Sequence, residues 1–515
     1  MPRYFSTLIF ALISLGFLGV MVFAPLWALT VYDDGNNSWW VIQDDYVQQR
    51  IIWTITQALI TCALTVLLAL PVAWVLARLD FMGRRLILRL LMLPFVMPTL
   101  VAAMGVLALF GTQGILTAGW QDTPYLLLYG NVFFNLPVMV RAAYQGFCQV
   151  PAARLYAAQT LGANTWQRFW QVERPVLLPW LAGGLCLVFL YCFSGFGLAL
   201  LLGGTAYSTI EVEIYRLITM ELDMAQASVL VWLMLAITAL AGGVYALLSN
   251  KVSRANITQP LMPQAPTHLT HYVLLWAALA ILWLCCVLPL GAVVWKALHA
   301  GSSWAVLWQD DTWAALWNTV RFTTGAMLGA MILGISHAAL ARRIQWIRGI
   351  TFLPFMVSPV CVAFGVLLLY PDWTASLPLL LATYALLAYP FITKDMLATW
   401  DALPPNYLAA ARSLGANTWQ ATRWVTIPLL LPALRRGLTL AAATCVGEFA
   451  ATLFLSRPEW QTLTTLIYQY LGTAGADNHD KAMVLTVVLM GLALMVFVVL
   501  DADETSYRAT EKRSI

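Results

Sequence analysis

The chain has 515 residues, of which 61% are hydrophobic and only 10% are charged. An average soluble domain carries about 25% charged residues, so this composition excludes a water-soluble globular protein. The formal net charge of +4 is too small and too dispersed for a nucleic-acid-binding surface. Membrane-spanning helices need roughly 20 apolar residues each, and such helices would use almost the whole length.

Hydropathy predicts an all-α membrane protein of about twelve spanning helices, with no sizeable soluble domain. The predicted spans are residues 7–31, 51–77, 86–111, 124–147, 176–203, 225–249, 271–297, 314–341, 348–370, 376–397, 429–455 and 482–500. A polar stretch at 251–270, which contains three prolines, predicts a cytoplasmic linker. We therefore expect a first membrane half at 1–250 and a second at 271–515.

The distribution of basic residues predicts the orientation. With a cytoplasmic N-terminus, 22 of the 28 Lys and Arg residues lie on or near the cytoplasmic side. Because positively charged loops stay in the cytoplasm, we expect both termini there.

Several kinds of chemistry are absent from the sequence. No lysine follows a glycine, which excludes a Gly-Lys-Ser/Thr nucleotide-binding loop. No His-Glu-x-x-His or Cys-x-x-Cys pair is present, which argues against a zinc site. We expect no catalytic residue, no metal and no cofactor in this chain.

An internal repeat is the most informative feature. The heptapeptide Leu161-Gly-Ala-Asn-Thr-Trp-Gln167 recurs unchanged from Leu414 to Gln420. Several prolines, glycines and other residues match at the same separation, including Pro175 with Pro428. The chain is therefore interpreted as a parallel duplication of about six helices.

Each copy of the repeat predicts a short helix, a left-handed glycine and a second helix. Gly162 would end the first helix, and Asn164 or Thr165 would cap the second. Pro175 would then restart the chain into the next span. Gly415 and Pro428 hold the same places in the second copy, where Asn417 or Thr418 would cap the second helix.

This element resembles the cytoplasmic EAA loop of permease subunits of binding-protein-dependent ABC importers. The residues that carry the resemblance are Ala157, Ala158, Leu161, Gly162, Ala163, Pro175 and Pro179 in the first copy, and Ala410, Ala411, Leu414, Gly415, Ala416, Pro428 and Pro432 in the second. The leading Glu of the family pattern is replaced by Tyr156 and Ala409. The fused layout looks most like thiamine and ferric-iron type permeases.

The resemblance implies two tandem six-helix repeats of a type I importer in the bacterial inner membrane. ATP hydrolysis would take place on separate ABC ATPase subunits, in two copies, and a periplasmic or extracellular binding protein would deliver the solute. The loops would contact the ATPases through the residues named above, with Trp166 and Trp419. Besides these proteins the chain would contact the lipid bilayer but no nucleic acid.

An ion-coupled secondary transporter of the major facilitator type is the alternative, since it also has twelve helices in parallel halves. Asp80-Phe-Met-Gly-Arg-Arg85 partly resembles a loop signature of that family. Phe81 stands where that signature has an arginine, however, and a generic positive loop explains the segment better.

Three further features are singled out. Glu448 is an acid inside a predicted span, where it would act as a gate or contact solute along the translocation pathway, or simply lie in a wet vestibule or pair with a neighbouring polar group. Prolines at matched positions, Pro94 and Pro98 with Pro354 and Pro359, predict broken helices. The segments 205–223 and 456–480 predict periplasmic surface helices that receive the binding protein or anchor at the interface.

Overall fold

The computed structural model describes residues 2–31, 38–116, 119–120, 122–252, 261–351, 353–373, 376–455 and 457–501. These residues are almost entirely helical and form no β-sheet, which confirms the predicted all-α membrane protein. The first-half helices are α1 Pro2–Leu18, α2 Ala24–Val31, α3 Asp45–Arg78, α4 Arg84–Leu90, α5 Leu93–Val96, α6 Thr99–Phe110, α7 Pro124–Cys148, α8 Ala152–Thr160, α9 Thr165–Arg168, α10 Arg174–Phe193, α11 Phe196–Leu202, α12 Ile210–Arg216 and α13 Met224–Val252. The second-half helices are α14 Leu269–Leu282, α15 Leu288–Leu298, α16 Asp310–Arg343, α17 Ile347–Ile350, α18 Leu353–Met356, α19 Pro359–Leu369, α20 Leu377–Ala402, α21 Pro405–Ser413, α22 Thr418–Ala421, α23 Ile427–Val446, α24 Ala450–Leu455, α25 Leu463–Gly472 and α26 Ala476–Asp501.

Ten helices of the described residues are long and apolar enough to span a membrane, or eleven if one bent pair counts as a span. The bent pair is Arg84–Val96 with Thr99–Phe110, at an angle of 96°. The corresponding segment of the second half ends in the short apolar helix Pro359–Leu369. The third and ninth predicted spans are therefore broken near Pro98 and Pro359, as the matched prolines predicted.

Four widened helical turns explain how further prolines fit inside long helices. The π-helical turns Gly19–Phe23, Phe169–Glu173, Trp283–Val287 and Thr422–Thr426 each end two residues before a proline. A proline ring collides with the carbonyl four residues earlier, and a turn closed over five residues makes room for it. The expectation that Pro175 restarts the chain is thus wrong, because Thr165–Phe193 is one 29-residue helix.

The chain folds into two compact units. The first unit comprises residues 34–299, and the second combines residues 1–33 with residues 300–515. Each unit thus takes the first helix of the other half of the repeat: α14 and α15 in the first unit, α1 and α2 in the second. The predicted membrane halves, 1–250 and 271–515, remain a prediction about the sequence repeat. The compact units group the helices differently, because each contains the first helix of the other half.

The borrowed helices pack in the same way in both units. In the first unit, a Cβ added to Gly105 of α6 would lie 2.9 Å from the Pro289 carbonyl oxygen of α15. In the second unit, a Cβ added to Gly365 of α19 would lie 2.9 Å from Pro25 Cβ of α2. Only glycine permits this approach between the backbones.

We expect Gly105→Ala to destabilise the protein by about 1–3 kcal/mol, because the new methyl group would push α15 away. Gly291→Ala is the matched control, since Gly291 lies in α15 with open space around its Cβ position. Alanine is the better helix former, so the control should be neutral or stabilising by up to about 1 kcal/mol. Thermal unfolding in detergent measures both, and equal shifts would contradict the packing described.

Part of the predicted linker lies against the first unit. Gln264 donates its backbone N–H to the Arg78 carbonyl oxygen at 2.9 Å. Its own carbonyl oxygen accepts from the Asp80 N–H at 2.8 Å. Residues 253–260 of the linker lie outside the described residues.

Candidate coupling hairpins

Each copy of the repeated heptapeptide forms the turn of a short helical hairpin. We call α8, α9 and their turn hairpin 1 (residues 152–168), and α21, α22 and their turn hairpin 2 (residues 405–421). Gly162 has φ +78° and Gly415 has φ +85°, in the left-handed region that glycine adopts freely. Both predicted glycine turns are therefore present.

Backbone hydrogen bonds explain the pattern of small residues around these glycines. Gly162 N–H donates to the Gln159 carbonyl at 2.9 Å, and Ala163 N–H donates to the Ala158 carbonyl at 3.0 Å. These two bonds define a Schellman motif, in which the residues at the Ala158 and Ala163 positions usually touch. Hairpin 2 repeats both bonds, from Gly415 to Arg412 at 3.0 Å and from Ala416 to Ala411 at 3.1 Å.

Asparagine caps the second helix of each hairpin. The Asn164 side chain accepts from Gln167 N–H at 2.8 Å, and the Gln167 side chain accepts from Asn164 N–H at 3.0 Å. Asn417 and Gln420 form the same reciprocal pair, at 2.8 and 2.9 Å. Of the two predicted candidates at each position, asparagine is therefore the cap and threonine is the first helical residue.

Large apolar side chains project from both hairpin turns. Leu161 is 86% exposed and Leu414 is 88% exposed, although leucine is normally buried. Trp166 and Trp419, at 68% and 66%, are exposed beside them. Two matched apolar projections of this kind are typical of surfaces that bind another protein.

The remaining predicted residues occupy equivalent places in the two hairpins. Ala157 and Ala410 are exposed, whereas the alanines of the Schellman motifs are half-buried. Pro175 and Pro428 lie two residues beyond the ends of the π-helical turns, at the second positions of α10 and α23. Tyr156 and Ala409, which replace the family's Glu, are exposed.

The two hairpins differ in their anchoring, which the sequence reasoning missed. Glu173, which follows hairpin 1 in the chain, forms a buried ion pair with Arg78 of α3 at 2.8 Å. Beside hairpin 2, Arg348 pairs with Asp401 at 2.8 Å, but this pair is exposed. Both partners of each pair are far apart in sequence, so no local pattern signals them.

Glu448 caps a short helix in the second unit. Its carboxylate accepts from Ala451 N–H at 2.9 Å at the start of α24, and its carbonyl accepts from the Thr464 hydroxyl at 3.0 Å. The residue is 8% exposed. This placement matches the interpretation in which Glu448 pairs with neighbouring polar groups, and contact with solute stays a prediction.

A buried amide network lies at the corresponding break of the first unit. The Gln57 side chain donates to the Cys192 carbonyl at 2.8 Å, at the end of α10. Asn131 donates to the Gln57 side chain at 2.7 Å. Hydropathy does not reveal these residues, because the apolar residues around them in α3 and α7 dominate the average.

The two segments after the breaks contain helices as expected, α12 and α25. Glu211 and Glu213 of α12 are buried, however, and Glu213 pairs with Arg216 at 2.6 Å. These carboxylates therefore support the fold and are poorly placed to bind a partner. Within the described residues no group of His, Cys, Asp and Glu is arranged to hold a metal ion.

Comparison with known proteins agrees with this architecture. Residues 66–254 and 326–501, one segment in each half, match the family of binding-protein-dependent transport system inner membrane components. The chain belongs to this family. The two matches confirm the fused duplication, and the family decides for an importer rather than a secondary transporter.

Several relatives align with the chain, two of them over nearly its whole length. It is 28% identical over 512 residues to the thiamine transport system permease protein of Escherichia coli (strain K12), covering 94% of each chain. It is 26% identical to the Haemophilus influenzae protein of the same name, covering 92% of this chain and 90% of the relative. A putative 2-aminoethylphosphonate transport system permease protein of Salmonella typhimurium is 26% identical, over 40% of this chain and 76% of its own.

These findings establish the general role of the protein. It is a fused, two-repeat permease subunit of an ABC importer, a multi-pass protein of the bacterial inner membrane. Its task is translocation rather than catalysis, and its family works with an ATPase and a solute-binding protein.

Proposed function

We propose that hairpins 1 and 2 each bind one ATPase subunit and transmit its movement to the membrane helices. The observation that carries this proposal is the matched exposure of Leu161 and Leu414 on two identical turns. Burial of an exposed leucine side chain is favourable, so a partner protein that covers these leucines would gain binding free energy. Two equivalent surfaces suit two copies of one ATPase, with the hairpins and both termini in the cytoplasm.

Helix continuity supports a mechanical role. The second helix of each hairpin continues without interruption into a span, over Thr165–Phe193 and Thr418–Val446. Each of these helices ends at a break, before α11 in the first unit and before α24 in the second. A rigid helix between docking surface and break would carry a displacement of the hairpin into the membrane.

We further propose that the solute is thiamine or a similar organic cation. The support is the alignment with thiamine permeases over nearly the whole chain. ATP-dependent uptake of labelled thiamine by a strain that carries this permease with its ATPase and binding protein tests the solute. We expect unlabelled thiamine to compete and 2-aminoethylphosphonate not to compete; competition by the phosphonate alone would assign the other solute class.

A further inference from the structure

Each unit places an arginine over an aromatic ring near the end of a long helix, but only the arginine of the first unit is buried. In the first unit, Arg78 lies over the Phe147 ring, 5.9 Å from its centroid, and pairs with Glu173 at 2.8 Å. In the second unit, Arg342 at the end of α16 lies over the Trp400 ring at 4.9 Å. Trp400 follows Phe147 by the repeat separation of 253 residues, so the two rings correspond, whereas Arg78 is the last residue of α3 and Arg342 is the last but one of α16.

The carboxylate of the first arrangement is missing from the second. Thr426 holds the place of Glu173 in the repeat and is itself buried. No described carboxylate forms an ion pair with Arg342, and nearby Asp401 is already engaged by two nitrogens of Arg348, at 2.8 and 3.1 Å.

A cavity of about 440 Å³ lies where the first unit has its ion pair. Its polar lining includes Arg342, Trp400, Asp401, Arg412 and Thr426. The indole Nε1 of Trp400 is buried without a hydrogen-bond partner in the described part of the chain, which leaves a donor unsatisfied. The two guanidinium groups and the indole N–H provide more donors than the Asp401 carboxylate, which is already paired with Arg348, can satisfy, and this suits an anion with several acceptor oxygens.

We propose that this cavity binds a phosphate group, which replaces the Glu173 carboxylate of the first half and links hairpin 2 to the end of α16. The cavity is lined by the ends of α16 and α20, by hairpin 2 and by the turn that leads into α23, and Arg and Trp at the ends of spans lie at headgroup level. An anionic phospholipid of the cytoplasmic leaflet is the source that this position favours. Only the lipid source rests on the proposed orientation, and the anion site itself is independent of the coupling proposal.

Thr426→Glu provides the sharpest test, because it introduces the carboxylate that the first half already contains. The purified chain in phosphatidylcholine nanodiscs is compared with the same chain after addition of phosphatidylglycerol, or of inorganic phosphate. Thermal unfolding and native mass spectrometry of retained lipid are the measurements. Arg342→Gln removes the central donor, and Arg89→Gln, an exposed arginine of α4, is the matched control for charge.

We expect phosphatidylglycerol to raise the melting temperature of the wild type and of Arg89→Gln, with one lipid retained. Arg342→Gln should retain it about five-fold more weakly, the factor that one arginine contributes at an anionic surface. Thr426→Glu should be more stable than the wild type in phosphatidylcholine and should gain nothing from the anionic lipid. A response to inorganic phosphate alone would support the site and assign it to a free anion, whereas equal responses of all four chains would overturn the proposal.

Discussion

Leu161→Glu combined with Leu414→Glu should abolish ATPase binding and ATP-driven uptake while leaving the permease folded. Both leucines are more than 85% exposed, so a charge there costs the isolated chain almost nothing. At the centre of a docked surface the same charge is desolvated and unpaired, and we expect affinity to fall by at least about 100-fold. Binding of the purified ATPase to the permease in nanodiscs measures this loss.

Met82→Glu is the matched control for that experiment. Met82 is fully exposed, in the short loop between α3 and α4, and lies outside both hairpins. The control should bind the ATPase normally, and all variants should melt at the wild-type temperature. Normal ATPase binding by the double leucine variant would remove the hairpins from the interface.

Glu173→Gln should destabilise the protein by about 3–5 kcal/mol, because it leaves the buried Arg78 without its countercharge. Both side chains of this pair are at most 10% exposed, so water cannot replace the carboxylate. We expect a lower melting temperature in detergent and reduced uptake, since hairpin 1 then loses its tie to α3.

Asp401→Asn breaks the exposed Arg348–Asp401 ion pair of the second unit and provides the contrast to the buried pair. Both side chains of this pair are about 40% exposed, and exposed ion pairs contribute roughly 0–1 kcal/mol to the free energy of unfolding. The double variant Arg78→Met with Glu173→Leu should recover most of the stability lost in Glu173→Gln, because no unpaired charge remains. Equal losses in Glu173→Gln and Asp401→Asn would contradict the burial difference on which the prediction depends.

The sequence was sufficient to predict the features that depend on local patterns. Runs of apolar residues located the spans, and the repeated heptapeptide located both hairpins. Gly162 and Gly415 were predictable because a left-handed turn requires glycine. The caps of the second helices could be predicted only as a choice between each asparagine, Asn164 or Asn417, and the threonine that follows it, because both residue types are good helix caps.

Contacts between residues that are far apart in the chain could not be predicted from the sequence. The exchanged first helices depend on the fit of Gly105 to Pro289 and of Gly365 to Pro25. Pro175 has the local pattern of a helix start, and nothing in that pattern distinguishes it from a proline accommodated by a π-helical turn. The Arg78–Glu173 pair joins residues 95 positions apart, which no local sequence pattern brings together.

The composition of the intact complex tests the central claim most directly. The permease is purified in mild detergent, and its mass is measured together with that of every bound subunit. We predict one permease with two nucleotide-binding subunits, and loss of both in a variant with Gly162→Glu and Gly415→Glu. A permease that remains alone, under conditions that preserve other ABC complexes, would contradict coupling through the hairpins.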